Sequence, residues 1–257
     1  MHNNYTHCLY ALLALTVSAC NSGGDSIPGV YTVNFGGEAF YSFNETTGST
    51  ALNSSKNYFN GIVTGASRTS GKVNNAIYFG ANLPSYVEFP LYDQTQQNSN
   101  TNRQVIIDFP NNEISIEAWV KFESLDPIET YHFFGDQQYG AKSFKMDVID
   151  SQFRFILATG PTGSGSIELV RSDFVFGLDT WYYIAFTYDG TTAKIYVDSV
   201  LNNSTNVTSP VNQVYNSLFL GGLDSGANSF PGYIDELRLS AHLRTAQEIS
   251  QYYSATQ

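Results

Sequence analysis

Cysteine is nearly absent from this chain. Its 257 residues include 2 cysteines, Cys8 and Cys20, and everything after Cys20 is cysteine-free. A fold built from that part has neither a disulfide nor a thiolate metal site, so its own core must hold it. Charge is scarce too: 14% of residues are charged, and the net charge is −11. An acidic chain repels phosphate, which excludes nucleic acid as a partner. Of the 4 histidines, only His132 and His242 lie beyond the N-terminal stretch. Neither belongs to a cluster with zinc-ligand spacing, and His132, between Tyr131 and Phe133, reads as a structural residue. Gly160, Gly163 and Gly165 follow a strand but open no helix, so they make no phosphate-binding loop.

What the chain has in quantity is aromatic and β-branched residues. Aromatics make up 15%, with 18 Tyr and 18 Phe, and hydrophobic residues 42%. That composition favours strands over helices and supplies one large core. Trp181–Asp198 shows the pattern best. Tyr182, Ile184, Phe186 and Tyr188 alternate with Tyr183, Ala185 and Thr187. After Asp189-Gly190, Ala193, Ile195 and Val197 alternate with Lys194, Tyr196 and Asp198. Asp-Gly predicts a two-residue hairpin turn with both residues at positive φ. Trp181, opening this strand, is expected in the core. Glu38–Asn44 and Ile114–Phe122 alternate as cleanly, the latter with Ile114, Ile116, Ala118, Val120 and Phe122 on one face and Ser115, Glu117, Trp119 and Lys121 on the other. Further strands are expected near 71–79, 85–89, 105–109, 131–134, 144–149, 152–159, 167–171, 218–221 and 230–239. At the C-terminus, Thr245-x-x-Glu248 is a capping box, and Ile249, Tyr252 and Tyr253 form one apolar stripe of a short helix.

The N-terminus is a separate object. Cys8–Val17 is an apolar run too short to span a bilayer. Val17-Ser18-Ala19-Cys20 follows, then Asn21-Ser22-Gly23-Gly24-Asp25. The first of these resembles the bacterial lipoprotein box, in which the cysteine is lipidated, although Met1–His7 lacks Lys and Arg. Ordinary cleavage and secretion is the alternative. The expected organisation is a signal peptide at 1–19, a lipid-anchored linker at 20–37 and one domain at 38–257. The protein is then exported to the bacterial cell envelope, touching membrane only through lipid on Cys20.

Several segments resemble the laminin G-like jelly-roll domains of the concanavalin A-like lectin/glucanase superfamily. They are Trp181-x-x-Ile184-Ala185-x-Thr187-Tyr188-Asp189-Gly190 with Lys194–Asp198, Gly71-Lys72-x-x-Asn75-Ala76, Ser115–Val120, and Phe230-Pro231-Gly232-Tyr233-Ile234-Asp235-Glu236. The resemblance implies an all-β, antiparallel jelly-roll sandwich with a short C-terminal helix. It implies a structural Ca²⁺ linking the early loop to the last strand, through Asp235, Asn53 and the neighbourhood of Asn60. Asn53 replaces the family's usual aspartate, which removes a charge. The alternative for Asp235 is a buried acid hydrogen-bonded to loop amides.

The related glucanases carry alternate carboxylates on one strand, Glu-x-Asp-x-x-Glu, and this chain lacks that run. Asp235 and Glu236 are adjacent, so on a regular strand they face opposite ways. Glu113 and Glu117 share a face but stand about 13 Å apart, too far for a retaining pair. The expectation is a binding module and not an enzyme, its partner carbohydrate or an extracellular protein. Trp119, on the polar face of its strand, either stacks on a sugar or packs beneath a loop or the terminal helix. Tyr131, Gln137, Gln138 and Tyr139 add loop amide and aromatic groups of the kind sugars use. The competing readings are a hydrolase-like enzyme with loop-borne carboxylates and a purely structural surface lipoprotein.

Overall fold

The computed structural model describes residues 30–31, 37–55, 60–80, 84–90, 104–105, 107, 109, 111–136, 144–159, 165–212, 214 and 217–257. Cys20 and the rest of the expected export signal, and Gln137, Gln138 and Tyr139, lie outside them. The strands run β1 (Val30–Tyr31), β2 (Glu38–Tyr41), β3 (Thr50–Ala51), β4 (Gly61–Thr64), β5 (Ser67–Ser70), β6 (Asn75–Phe79), β7 (Tyr86–Phe89), β8 (Gln104–Val105), β9 (Ile114–Phe122), β10 (Thr130–Asp136), β11 (Phe144–Ile149), β12 (Gln152–Thr159), β13 (Gly165–Arg171), β14 (Trp181–Tyr188), β15 (Thr192–Val197), β16 (Val200–Asn206), β17 (Leu218–Leu220) and β18 (Gly232–Ser240), followed by the helix α1 (Ala246–Ala255).

Two eight-stranded antiparallel sheets face each other. The first has the order β13-β12-β11-β10-β17-β7-β4-β3; the second has β16-β15-β14-β9-β18-β6-β5, with β2 also paired to β18. Alternation decides which side chains meet between them. Ile114, Ile116, Ala118, Val120 and Phe122 of β9 and Ile184, Phe186 and Tyr188 of β14 join one core with Phe144, Met146 and Val148 of β11 and Phe153, Phe155 and Leu157 of β12. Phe155 and Phe186 stack across the sandwich with centroids 3.5 Å apart and planes 9° off parallel. Phenylalanine pairing of this kind stabilises beyond its area burial, by about 1 kcal/mol per pair.

The second sheet is covered over part of its other face as well. The capping box forms as the spacing predicts: the Glu248 amide donates to Thr245 Oγ1, and the Thr245 amide donates to the Glu248 carboxylate at 2.8 Å. Helix α1 then lays Ile249, Tyr252 and Tyr253 over Trp119, Tyr183, Ala185 and Tyr196.

Two local expectations are corrected. Of Asp189-Gly190, Gly190 alone takes a positive φ, of 88°. The Asp189 side chain accepts from the amides of Thr191 and Thr192, which widens the loop. The tight two-residue turn lies one hairpin later: Asp198 and Ser199, at φ 49° and 66°, join Val197 directly to Val200. The second correction concerns the last strand. Its register slips between Asp235 and Arg238, and Glu236 sits at φ 54°. This bulge breaks the alternation, so Asp235 lies opposite Trp119 while Glu236 turns to accept from the Tyr252 hydroxyl of α1, both on the helix side.

Candidate functional site on the helix-covered sheet

Trp119 is not an exposed platform. It is 1% exposed, because α1 closes over that face of β9. Its ring stacks on Tyr253 with centroids 5.5 Å apart, its Nε1 donates to Thr256 Oγ1 at 2.9 Å, and the Lys72 ammonium lies 4.5 Å from the ring centroid. Tyr131 packs partly against the core, and its hydroxyl accepts from the Asp126 amide at 2.9 Å, so it closes a loop.

The expected calcium ligands are placed as follows. Asn53 and Asn60 meet: the Asn53 amide donates to Asn60 Oδ1 at 3.0 Å. Asn53 Oδ1 already accepts from the Phe40 amide, the Ser55 amide and Ser55 Oγ. Those donors occupy its lone pairs, so as placed it does not fit a cation. Asp235 is fully buried and anchored to the turn at 71–73, its Oδ2 accepting from the Val73 amide at 2.9 Å. Its Oδ1 is buried without a hydrogen bond of good geometry, although the Lys72 and Glu236 amides also favour its charged form, and it fits a cation or a water. Among the described residues no three His, Cys, Asp or Glu side chains gather into a metal cage.

Burial pushes the Asp235 carboxyl up to about 7, with the nearby Glu236 adding to the rise. The folded state then holds a proton that the unfolded chain releases near its ordinary value, so this group's contribution is complete below pH 4 and is lost as pH rises through 7. Between pH 5 and pH 8 in chelator, wild-type stability falls by about 2 kcal/mol relative to Asp235→Asn. Urea denaturation at the two pH values measures this. If calcium binds Asp235, millimolar calcium at pH 8 reverses the loss in the wild type alone.

Farther along the same sheet, beyond α1, a row of side chains crosses four strands. Tyr78 of β6 pairs with Tyr233 of β18, Tyr233 with Lys121 of β9, and Lys121 with Trp181 of β14. The alternation that sends Ile77, Val120, Ile234 and Ile184 into the core turns all four outward. Trp181, expected in the core, is therefore half-buried on the outer face, with the parity of Tyr183. The Tyr78 and Tyr233 centroids are 4.8 Å apart, and Tyr233 meets Trp181 edge-on at 6.1 Å. The Lys121 ammonium lies 4.0 Å from the Tyr233 centroid and 5.4 Å from that of Trp181.

Glu123 organises the polar side of the row. Its amide donates to the Pro231 carbonyl at 2.9 Å, which fixes it beside β18. Its carboxylate accepts from the Tyr233 hydroxyl at 2.6 Å and the Tyr78 hydroxyl at 2.8 Å. These two bonds hold the Glu123 carboxyl below its usual range and push the Tyr233 hydroxyl up to about 12. The result is a partly exposed row of mutually tilted rings with a fixed carboxylate at its edge, roughly 14 Å across four strands. The sequence carried the clue in the shared parity of these residues, but their register was needed to align them.

The first sheet shows a different surface. On its outer face Arg154 grips Asp147 with two nitrogens and Lys145 approaches Asp147 at 3.2 Å, while Arg171 forks onto Glu168 at 3.0 and 3.1 Å. His132, opposite Asp147, is buried, and that burial lowers it to about 4. These charges satisfy one another.

Two antiparallel sheets packed face to face and closed by a terminal helix define a jelly-roll β-sandwich. The chain belongs to the concanavalin A-like lectin/glucanases superfamily, whose laminin G model matches residues 93–250. Among curated proteins none matches it. Domain 4 of AbnA, a GH43 extracellular arabinanase from Geobacillus stearothermophilus, solved in complex with arabinotriose, is 22% identical with a TM-score of 0.59, covering 83% of this chain and 96% of that domain. The binding domain of Paraclostridial Mosquitocidal Protein 1 is 12% identical with a TM-score of 0.61, over 84% of this chain and 51% of that one. A Trypanosoma rangeli sialidase is 16% identical with a TM-score of 0.60; 84% of this chain matches 32% of the sialidase, so the chain spans about a third of that enzyme. At these identities the likeness is one of fold.

Proposed function

We propose that this protein is a non-catalytic binding module whose ligand is carbohydrate, held on the row Tyr78–Tyr233–Lys121–Trp181 with Glu123 at its edge. That row is the observation that carries the reading. Rings offer apolar faces to the C–H faces of a sugar, while a fixed carboxylate accepts its hydroxyls, and few convergent polar groups on an aromatic surface are what orient a small ligand. The near full-length likeness to an arabinotriose-bound domain supports the same reading. The buried acids serve the fold instead of chemistry: Asp147 is clamped by Arg154, Glu117 lies between Arg238 and Arg244, and Glu236 accepts from Tyr252. Export and lipid anchoring at Cys20, and a cation at Asp235, belong to the same proposal, the latter supported by its buried Oδ1. A protein partner is the second reading, favoured by the exposed Ile128 and Val175, 84% and 65% accessible.

A glycan array probed with residues 21–257, followed by calorimetry on the captured sugars, tests the proposal. The wild type captures oligosaccharides, and Tyr233→Ala loses them while keeping its melting transition. Capture that is indifferent to Tyr233→Ala contradicts the placement of the site.

A further inference from the structure

Resting on the carbohydrate reading, we propose that this site takes uncharged glycans and rejects acidic ones, with Glu123 and Asp179 as the residues that enforce the choice. Both are exposed. Glu123 spends one lone pair of each carboxylate oxygen on a tyrosine hydroxyl. The lone pairs that remain make it an acceptor only, suited to sugar hydroxyls and not to a uronate or sialate. Asp179 stands beside it by backbone geometry: its amide donates to the Phe122 carbonyl at 2.8 Å, one residue before Glu123, and it precedes Trp181 by two residues. Its charge is also felt at the Tyr233 hydroxyl.

Lys121 supplies the cation of the row, and its ammonium lies on the faces of Tyr233 and Trp181 while offsetting the charge of Glu123. An acidic sugar stacked on these rings therefore meets two carboxylates against one cation already engaged. Like charges within several ångströms at a wet surface weaken binding by about tenfold. The overall charge of −11 opposes acidic glycans at longer range as well. A neutral sugar meets no such term and gains a charge-assisted hydrogen bond.

Matched pairs on one array test this: galacto-oligosaccharides against galacturono-oligosaccharides of equal length, lactose against sialyllactose, and xylo-oligosaccharides against their glucuronic-acid-bearing forms. Neutral members are expected to bind at least about tenfold more tightly than their acidic counterparts. The gap narrows in Glu123→Gln/Asp179→Asn through a gain in absolute affinity for the acidic members, beside a loss for neutral members that give up the charge-assisted bond to Glu123, and it narrows for the wild type in 0.5 M salt, which screens exposed charges. Acidic members binding as well as neutral ones, or a gap unmoved by the double variant, overturns the selectivity and leaves the carbohydrate reading standing. Capture of no glycan in any pair overturns both.

Discussion

Trp119→Ala lowers the stability of the domain by about 3–5 kcal/mol and releases its C-terminal helix. The indole is sealed between β9 and α1, and four separate contacts end on it: the Tyr253 stack, the tilted Tyr183 ring at 5.3 Å, the bond to Thr256 and the Lys72 ammonium over its face. Removing it leaves a cavity under a helix of 10 residues, a length that holds in water only by packing. Denaturant unfolding gives the free energy, and the far-ultraviolet helical signal shows whether α1 goes first. Tyr252→Phe is milder, about 1 kcal/mol, because it removes one hydroxyl from Glu236 and keeps the ring. A Trp119→Ala variant as stable as the wild type contradicts the placement of α1.

Trp181→Ala has the opposite signature. The ring is half-exposed and lies at the end of the row, so its loss costs stability about 1 kcal/mol and costs glycan affinity about 30-fold. The two tryptophans, with the same side chain on the same sheet face, thus separate folding from binding. Alanine at Trp181 that leaves glycan affinity intact removes that residue from the site.

Much of the fold was legible because alternation is a local property. Ile114–Phe122 was readable to its end residues, since a nine-residue strand with one strictly apolar face admits one register. The terminal helix was readable from Thr245, Glu248 and three apolar residues. What failed were features decided across strands. Nothing in Asp235-Glu236 announces a bulge, because the slip is relative to β9, and so the two acids were expected on opposite faces. Trp119 and Trp181 carry the same outward parity, and their fates differ only because α1 returns over one and stops short of the other. The site lay in the same blind spot: Tyr78, Lys121, Glu123, Trp181 and Tyr233 are scattered over 156 residues and meet only in the register of four strands. Strand β16, polar and exposed along most of its length, carries no apolar period to betray it.

Quenching of tryptophan fluorescence by acrylamide tests the central claim most directly. The chain has 2 tryptophans, and Trp119 is shielded from any quencher by α1, so the quenchable emission belongs to Trp181. Arabinotriose and the neutral oligosaccharides captured on the array are added in turn. If the aromatic row holds the sugar, a bound glycan protects Trp181, and the quenching constant falls with the same concentration dependence as binding. A glycan that binds by calorimetry and leaves the quenching of Trp181 unchanged contradicts the account.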